Sequence, residues 1–219
     1  MKHLLIIGSG GHAKVVIDAC ELLPHEIRVV GLIDDYRKDM GEKTSGYDIL
    51  GAVEDIPSVV KKFDVTHLFI AVGDNYSREK IYDKVKVRLP YATIIHPSAV
   101  LSKAATILDG CLVLAGCVVN SGTTIGSHCI LNTGSIIEHD CLVGSFSSLA
   151  PRAVVGGKCT INSGVAIGIG ATVTNDVNIG TNTVIGAGSV VLKAIPDNVV
   201  AYGSPCRSIH PRISYVPYM

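Results

Sequence analysis

The sequence predicts a small α/β unit of Rossmann-like design over residues 1–95, followed by an all-β parallel β-helix with an extended tail over residues 96–219. Three observations predict it. An aliphatic residue recurs at every sixth position through the second half of the chain. Strand-like and helix-like stretches alternate through the first half. A glycine-rich turn, Gly8-Ser9-Gly10-Gly11, separates the first such strand from the first helix.

The six-residue period runs unbroken through Leu101, Ile107, Val113, Val119, Ile125, Leu131, Ile137, Val143, Leu149, Val155, Ile161, Ile167, Val173, Ile179, Ile185 and Val191. Six matches neither the 3.6 period of a helix nor the alternation of a flat strand. It matches a parallel β-helix, in which each hexad gives one short strand and one corner, and three hexads close a triangular coil. The hexads then make about five coils, stacked at roughly 4.8 Å into a prism on the order of 25 Å tall. Four residues after each aliphatic position the side chain is usually small, as at Ala105, Thr123, Ser135, Ser147 and Ala153. Both are expected to point inward. Five of the seven cysteines (Cys111, Cys117, Cys129, Cys141 and Cys159) keep the same register, and no C-x-x-C pair occurs. They read as small buried residues, not as disulfides or metal ligands.

In the first half, Leu4-Leu5-Ile6-Ile7 is a buried strand and 12–23 carries helical spacing. Val29 to Ile33 is a second strand, Ile49 to Val53 a third and Leu68 to Val72 a fourth. A helix is expected over about 77–89, and Ala92 to Ile95 is expected to close the sheet. Such alternation gives a parallel sheet with helices on its faces. The tail from Ile195 has no period and is expected to lie as an extended lid on the prism.

Lys+Arg 19 balances Asp+Glu 19, so no overall field draws nucleic acid or an anionic membrane. No apolar run is long enough for a spanning helix and no signal peptide is evident, which leads to the expectation of a soluble cytoplasmic protein.

Gly8-Ser9-Gly10-Gly11-His12-Ala13 fits G-x-G-x-x-[GA] between a strand and a helix, where backbone N–H groups can meet a diphosphate. Asp34 follows at the distance at which an acid can hold a ribose hydroxyl. NAD, another nucleotide and a bare βα turn all satisfy this motif. The unit is too short for two mononucleotide halves, which favours a nucleotide joined to something else, such as a sugar. In the prism, Glu138-His139-Asp140 sets an imidazole between two carboxylates at a corner. That arrangement suits a general base, though an ordinary polar corner has the same spacing. His128, without an adjacent acid, reads as a surface residue. Tyr202-Gly203-Ser204-Pro205-Cys206-Arg207 is a turn bearing a cation, suited to a phosphorylated ligand or to simple chain reversal.

Together with Ala71-Val72-Gly73-Asp74-Asn75 and Leu131-Asn132-Thr133-Gly134-Ser135, these motifs span nearly the whole chain. The chain resembles the left-handed β-helix acetyltransferases that include sialic acid O-acetyltransferases and PglD-type UDP-4-amino-sugar N-acetyltransferases. The resemblance implies a homotrimer with acetyl-CoA in the groove between neighbours, no metal, and a nucleotide-sugar substrate. His139 would be the base, oriented by Asp140, with Glu138 and Asn132 nearby. Ser148, Gly168, Gly186, Ala187, Gly188, Ser189, Pro205 and Arg207 would lie along coenzyme A. Gly8, Ser9, Gly10, Gly11, His12, Asp34, Asp35, Gly73 and Asn75 would hold the sugar nucleotide. Many relatives carry a second histidine where this chain has Ser148, and an alanine where it has Cys206. The leading expectation is N-acetylation of a UDP-linked 4-amino-4,6-dideoxy sugar. Sialic acid O-acetylation, a GDP- or dTDP-linked substrate, a non-catalytic nucleotide-binding β-helix and an NAD oxidoreductase stand as alternatives.

Overall fold

The computed structural model describes residues 1–37, 41–213 and 216. The first strand, β1 (Lys2–Ile7), ends at the glycine turn, from which α1 (Gly11–Glu21) starts. Then come β2 (Ile27–Ile33), a short antiparallel pair β3 (Lys43–Thr44) and β4 (Tyr47–Asp48), α2 (Ile56–Phe63), β5 (His67–Ile70) and α3 (Asn75–Lys84). The strands form a parallel sheet in the order β2-β1-β5. All three therefore run their C-terminal ends, at Ile7, Ile33 and Ile70, to one edge, where ligands of open α/β sheets bind.

Several local expectations are corrected. Ile49 makes only an isolated bridge to Leu32, and Val53 begins a single 3₁₀ turn, so residues 49–53 are not a strand. The helix α2 has no counterpart among the expected elements. Its Ile56 and Val59 pack on Ile7, Ile33 and Ile70, and its Lys61 and Lys62 are exposed in the last turn. The helix α3 stops at Lys84, not near 89; Val85 turns to extended geometry. Ile94–Ile95 pairs with Leu112–Val113 and joins the prism instead of closing the N-terminal sheet.

The prism has three parallel faces. The covered face stacks Ile94–Ile95, Leu112–Val113, Ile130–Leu131, Ser148–Leu149, Ala166–Ile167 and Val184–Ile185. The second runs from Val100–Leu101 through Ile136–Ile137 to Val190–Val191, and the third from Thr106–Ile107 through Leu142–Val143 to Asn178–Ile179. Each strand pairs in register with the strand 18 residues on, as in Ile136↔Val154 and Ile137↔Val155. From Val113 onward every member of the aliphatic series is at most 1 % exposed. The five in-register cysteines lie among them, all unbridged; Cys111, Cys129, Cys141 and Cys159 donate to carbonyls of the next coil at 3.1–3.2 Å.

The tail is part of the prism, not a lid over it. Val199–Gly203 pairs parallel with Val184–Ile185 and folds back on Cys206–Pro211, with Ala201 and Cys206 closing the core. Residues 214, 215 and 217–219 of that expectation lie outside the described residues.

Outward residues of the covered face are buried as well. Leu112, Leu114 and Ile130 form one core with Leu4 and Ile6 of β1 and Val16, Ile17 and Cys20 of α1. Each such aliphatic side chain contributes about 1.5–3 kcal/mol, so the α/β unit is fastened to the prism along α1. Among the described residues no helix is long and apolar enough to cross a membrane.

Ile137→Ala leaves a hole between stacked coils and should lower the unfolding free energy by about 2–5 kcal/mol. Thr106→Ala, on the exposed outer side of the third face, should change it by no more than about 0.5 kcal/mol. Urea denaturation of the two variants beside the native protein checks this contrast.

Candidate active site

A groove of about 600 Å³ runs between the turn after β1 and the covered face. Gly11, His12, Val15 and Gly73 line one side. Ile130, Asn132, Ser148, Ala150, Ala166, Gly168, Val184, Gly186 and Ala187 line the other. The groove exists because the outward ladder of the covered face shrinks midway, from Leu112 and Ile130 to Ser148 and Ala166. Of the candidate residues, Asn132, Ser148, Gly168, Gly186, Ala187, Gly11, His12 and Gly73 are thus brought together.

His12 occupies the first turn of α1, and its Nε2 is buried without a hydrogen-bond partner among the described residues. Burial, and then the nearby Arg78 guanidinium, push its pKa down to about 4. At neutral pH it is therefore a neutral imidazole that offers a hydrogen bond, not a cation for a diphosphate. Gly10 and Gly11 face open space, and Gly10 precedes α1 without any side-chain cap, so the first N–H groups of the helix are available. Gly8 serves packing: at φ +111°, a Cβ there would lie 2.8 Å from the Ala71 carbonyl oxygen.

Four of the expected substrate contacts are otherwise engaged. Asp34 Oδ2 accepts from Ser9 N (3.1 Å) and Ser9 Oγ (2.6 Å), and its Oδ1 from the amides of Tyr36 (2.9 Å) and Arg37 (3.2 Å). The pair Ser9–Asp34 shapes the loop and leaves no ribose ligand there. Asn75 is buried, and its Nδ2 donates to Val165 O at 3.0 Å. Asp35 accepts from Val53 N at 2.8 Å and borders a separate cavity of about 420 Å³ with Glu54, Lys84 and Lys86.

Along the prism, Asn132 Nδ2 donates to Leu149 O at 3.1 Å, and Ser148 is 9 % exposed. The Ser189 side chain points inward, fully buried, and donates to Gly186 O at 2.7 Å, which leaves only its backbone to face outward. Gly188, Pro205 and Arg207 are exposed and outside the groove.

His139 stands at a different corner, between the second and third faces, exposed. Its Nδ1 lies 2.9 Å from Asp140 Oδ2, which fixes the tautomer and leaves Nε2 free for a proton. Glu138 is half-buried beside it. Sequence reasoning misses the residues that seat this pair. A Cβ on Gly157 would lie 2.7 Å from His139 Nε2, and one on Gly122 would lie 2.5 Å from Asp140 Oδ1. Each glycine is 18 residues, one coil, from the side chain it accommodates, and that spacing is the signal available in the sequence. His139 does not line the groove of its own chain.

His128 is corrected outright. It is 4 % exposed, stacked on Phe146 at 4.9 Å and 6°, with Tyr82 and Tyr91 each at 4.7 Å. Tyr82 of α3 and Tyr91 cover this corner, which no local pattern announces. Burial first, then Arg78, brings its pKa down to about 4.

The PglD N-terminal domain family matches residues 3–85. A histidine-to-asparagine mutant of perosamine N-acetyltransferase from Caulobacter crescentus, solved with CoA and GDP-perosamine, superposes with a TM-score of 0.85 at 31 % identity, over 96 % of this chain and 98 % of that one. The chain belongs to the left-handed β-helix sugar N-acetyltransferases of hexapeptide-repeat fold. The acetyltransferase domain of PglB from Neisseria gonorrhoeae, in complex with acetyl coenzyme A, gives a TM-score of 0.86 at 29 % identity over 95 % of this chain and 99 % of that domain. UDP-N-acetylbacillosamine N-acetyltransferase of Bacillus subtilis is 34 % identical over 116 residues; the match spans about half the length of each chain (52 %). No group of three or more potential metal ligands occurs among the described residues.

The two buried imidazoles set an acid limit. The unfolded chain takes up their protons near pH 6.5 and the folded chain only near 4. Their stabilisation is therefore complete above pH 6.5 and is lost as pH falls toward 4, by a few kcal/mol for the pair. Melting temperatures from pH 7.5 to 4.5 should fall accordingly, and His128→Phe should flatten the fall by roughly half.

Proposed function

We propose that this protein transfers the acetyl group of acetyl-CoA to the 4-amino group of a nucleotide-linked 4-amino-4,6-dideoxy sugar, with UDP as carrier. The observation that carries the reading is the groove itself. One wall comes from the βα turn of the N-terminal unit and the other from the prism, in a chain alike over nearly its full length to an enzyme solved with CoA and GDP-perosamine. The pantetheine arm would lie against Ala166, Gly168, Gly186 and Ala187, where side chains are absent or minimal. The sugar nucleotide would meet the open amides at the start of α1 and the neutral His12.

His139 is the base in this reading, and it reaches the groove of a neighbouring chain in a homotrimer. The second face lies between the corner that closes the groove, at Asn132 and Gly168, and the corner that bears His139. That face turns Val100, Val118, Ile136, Val154 and Val190 outward as an apolar stripe broken only by Thr172 between the last two, with Val100 62 % exposed. Exposed stripes of this kind mark interfaces. Packing the second face against a neighbour would carry one chain's His139 to the next chain's groove. Nε2 then takes a proton from the amine as it attacks the thioester. Asp140 holds the resulting imidazolium, and the tetrahedral oxyanion collapses with loss of the CoA thiolate. A thiol with pKa near 8.5 leaves far more readily than an alkoxide.

Release of free thiol with a panel of UDP-, GDP- and dTDP-linked 4-amino sugars, and with sialic acid, tests the substrate. Turnover is expected with the UDP-amino sugar, and turnover with sialic acid alone would overturn the reading. His139→Ala should lower kcat on the order of 10²–10⁴-fold. Gly11→Trp, which adds bulk in open space, should block the groove. Refolded together, the two inactive variants should recover about a quarter of native activity, because random pairing leaves that share of interfaces with both halves intact. A site confined to one chain recovers none.

A further inference from the structure

At the corner between the third and covered faces, His128, Phe146 and Gly164 occupy the same position in consecutive coils, each left-handed (φ 58°, 58° and 69°). Their carbonyls stand outside the backbone ladder, and buried carbonyls demand partners. The start of α3 supplies them. Arg78 donates from Nε to His128 O at 2.9 Å and from Nη2 to Phe146 O at 3.0 Å, while Asn75 Nδ2 donates to Gly164 O at 3.3 Å. The same guanidinium reaches back to its own unit, from Nη1 to Val72 O (3.0 Å) and Gly73 O (2.9 Å) and from Nη2 to Asn75 Oδ1 (2.7 Å). The side chain is only 1 % exposed. A planar fork of five donors can join both units in one plane, which a lysine ammonium cannot do.

We propose that Arg78 is a positioning residue for the transfer reaction, fastening the loop at 72–75 to successive coils of the prism and so setting the width of the groove. Gly73 on the loop and Ser148 on the prism both line that groove. Arg78 holds the carbonyls of Gly73 and of Ser147, the residue before Ser148 (Nη2 to O, 3.4 Å). The same cation, beside His12 at the mouth of α1, helps keep that imidazole uncharged. Displacing reacting groups by about 1 Å costs on the order of 10²-fold in rate, so a slack loop would be felt in the chemistry. The kinetic side of this inference rests on the acetyl-transfer reading; the fastening itself does not.

The test uses the full-length assembled protein with Arg78→Met, which keeps the length, and Arg78→Lys, which keeps the charge. Hydrogen exchange should quicken at amides 72–78 in both, while amides of the inner ladder such as Leu131 and Leu149 stay protected. With acetyl-CoA and the amino-sugar nucleotide, kcat should fall about 10- to 100-fold and KM for the sugar nucleotide should rise. KM for acetyl-CoA should change less than about twofold, since its wall is prism alone. Arg78→Lys should not restore the native constants. Native exchange at 72–78 in either variant overturns the inference, as does a loosened loop with native kcat and KM, which would leave Arg78 a purely structural residue. If the native enzyme turns over none of the amino-sugar nucleotides, the acetyl-transfer reading fails, and the exchange result alone decides whether Arg78 fastens the loop.

Discussion

Every feature of the site hangs on the parallel 18-residue register of the prism. One aliphatic side chain per hexad turns inward and stacks on its equivalents one coil above and below, as Leu131 does between Val113 and Leu149. The stack fixes the length of each corner, because any insertion would move a whole face out of register. Side chains that share a position are therefore brought within reach by the ladder and need no other support. The same rule seats His139 beside Gly157, stacks His128 on Phe146, and lines up the three corner carbonyls that Arg78 and Asn75 engage. It also explains the in-register cysteines: each thiol fills a narrow inward position, where Cys111, Cys129, Cys141 and Cys159 reach a carbonyl of the next coil and Cys117 meets the Ser135 hydroxyl, contacts that need a small weak hydrogen-bonding group and no redox chemistry.

What can be read in the sequence is whatever repeats or adjoins. The prism announces itself because its core positions recur at one fixed interval. The His139–Asp140 pair is legible because neighbours at a tight corner face each other by geometry alone. Glycines at the ends of β1 and β5 mark the sheet edge for the reason that makes all such edges binding sites.

The misreadings share a cause, which is tertiary partnership. Asp34 looks like a ribose ligand until Ser9 and the following amides consume both of its oxygens. His128 looks like a surface residue until α3 and Tyr91 cover it. Arg78 shows nothing in sequence, since its acceptors on the prism are main-chain carbonyls 50 and more residues away. Ile94–Ile95 continues the N-terminal alternation in sequence, yet Leu112–Val113 offers it a better partner. Such assignments depend on which surfaces meet, and composition or spacing does not encode that.

The groove and the base occupy different corners of one chain, with an apolar face between them. The most direct measurement is a crystal structure of the assembled protein with CoA bound. It should show the sulfur in the groove beside Ser148, with His139 Nε2 of the neighbouring subunit facing it across a gap wide enough for the attacking amine. CoA bound elsewhere on the prism, or His139 open to solvent in the assembly, would contradict the account.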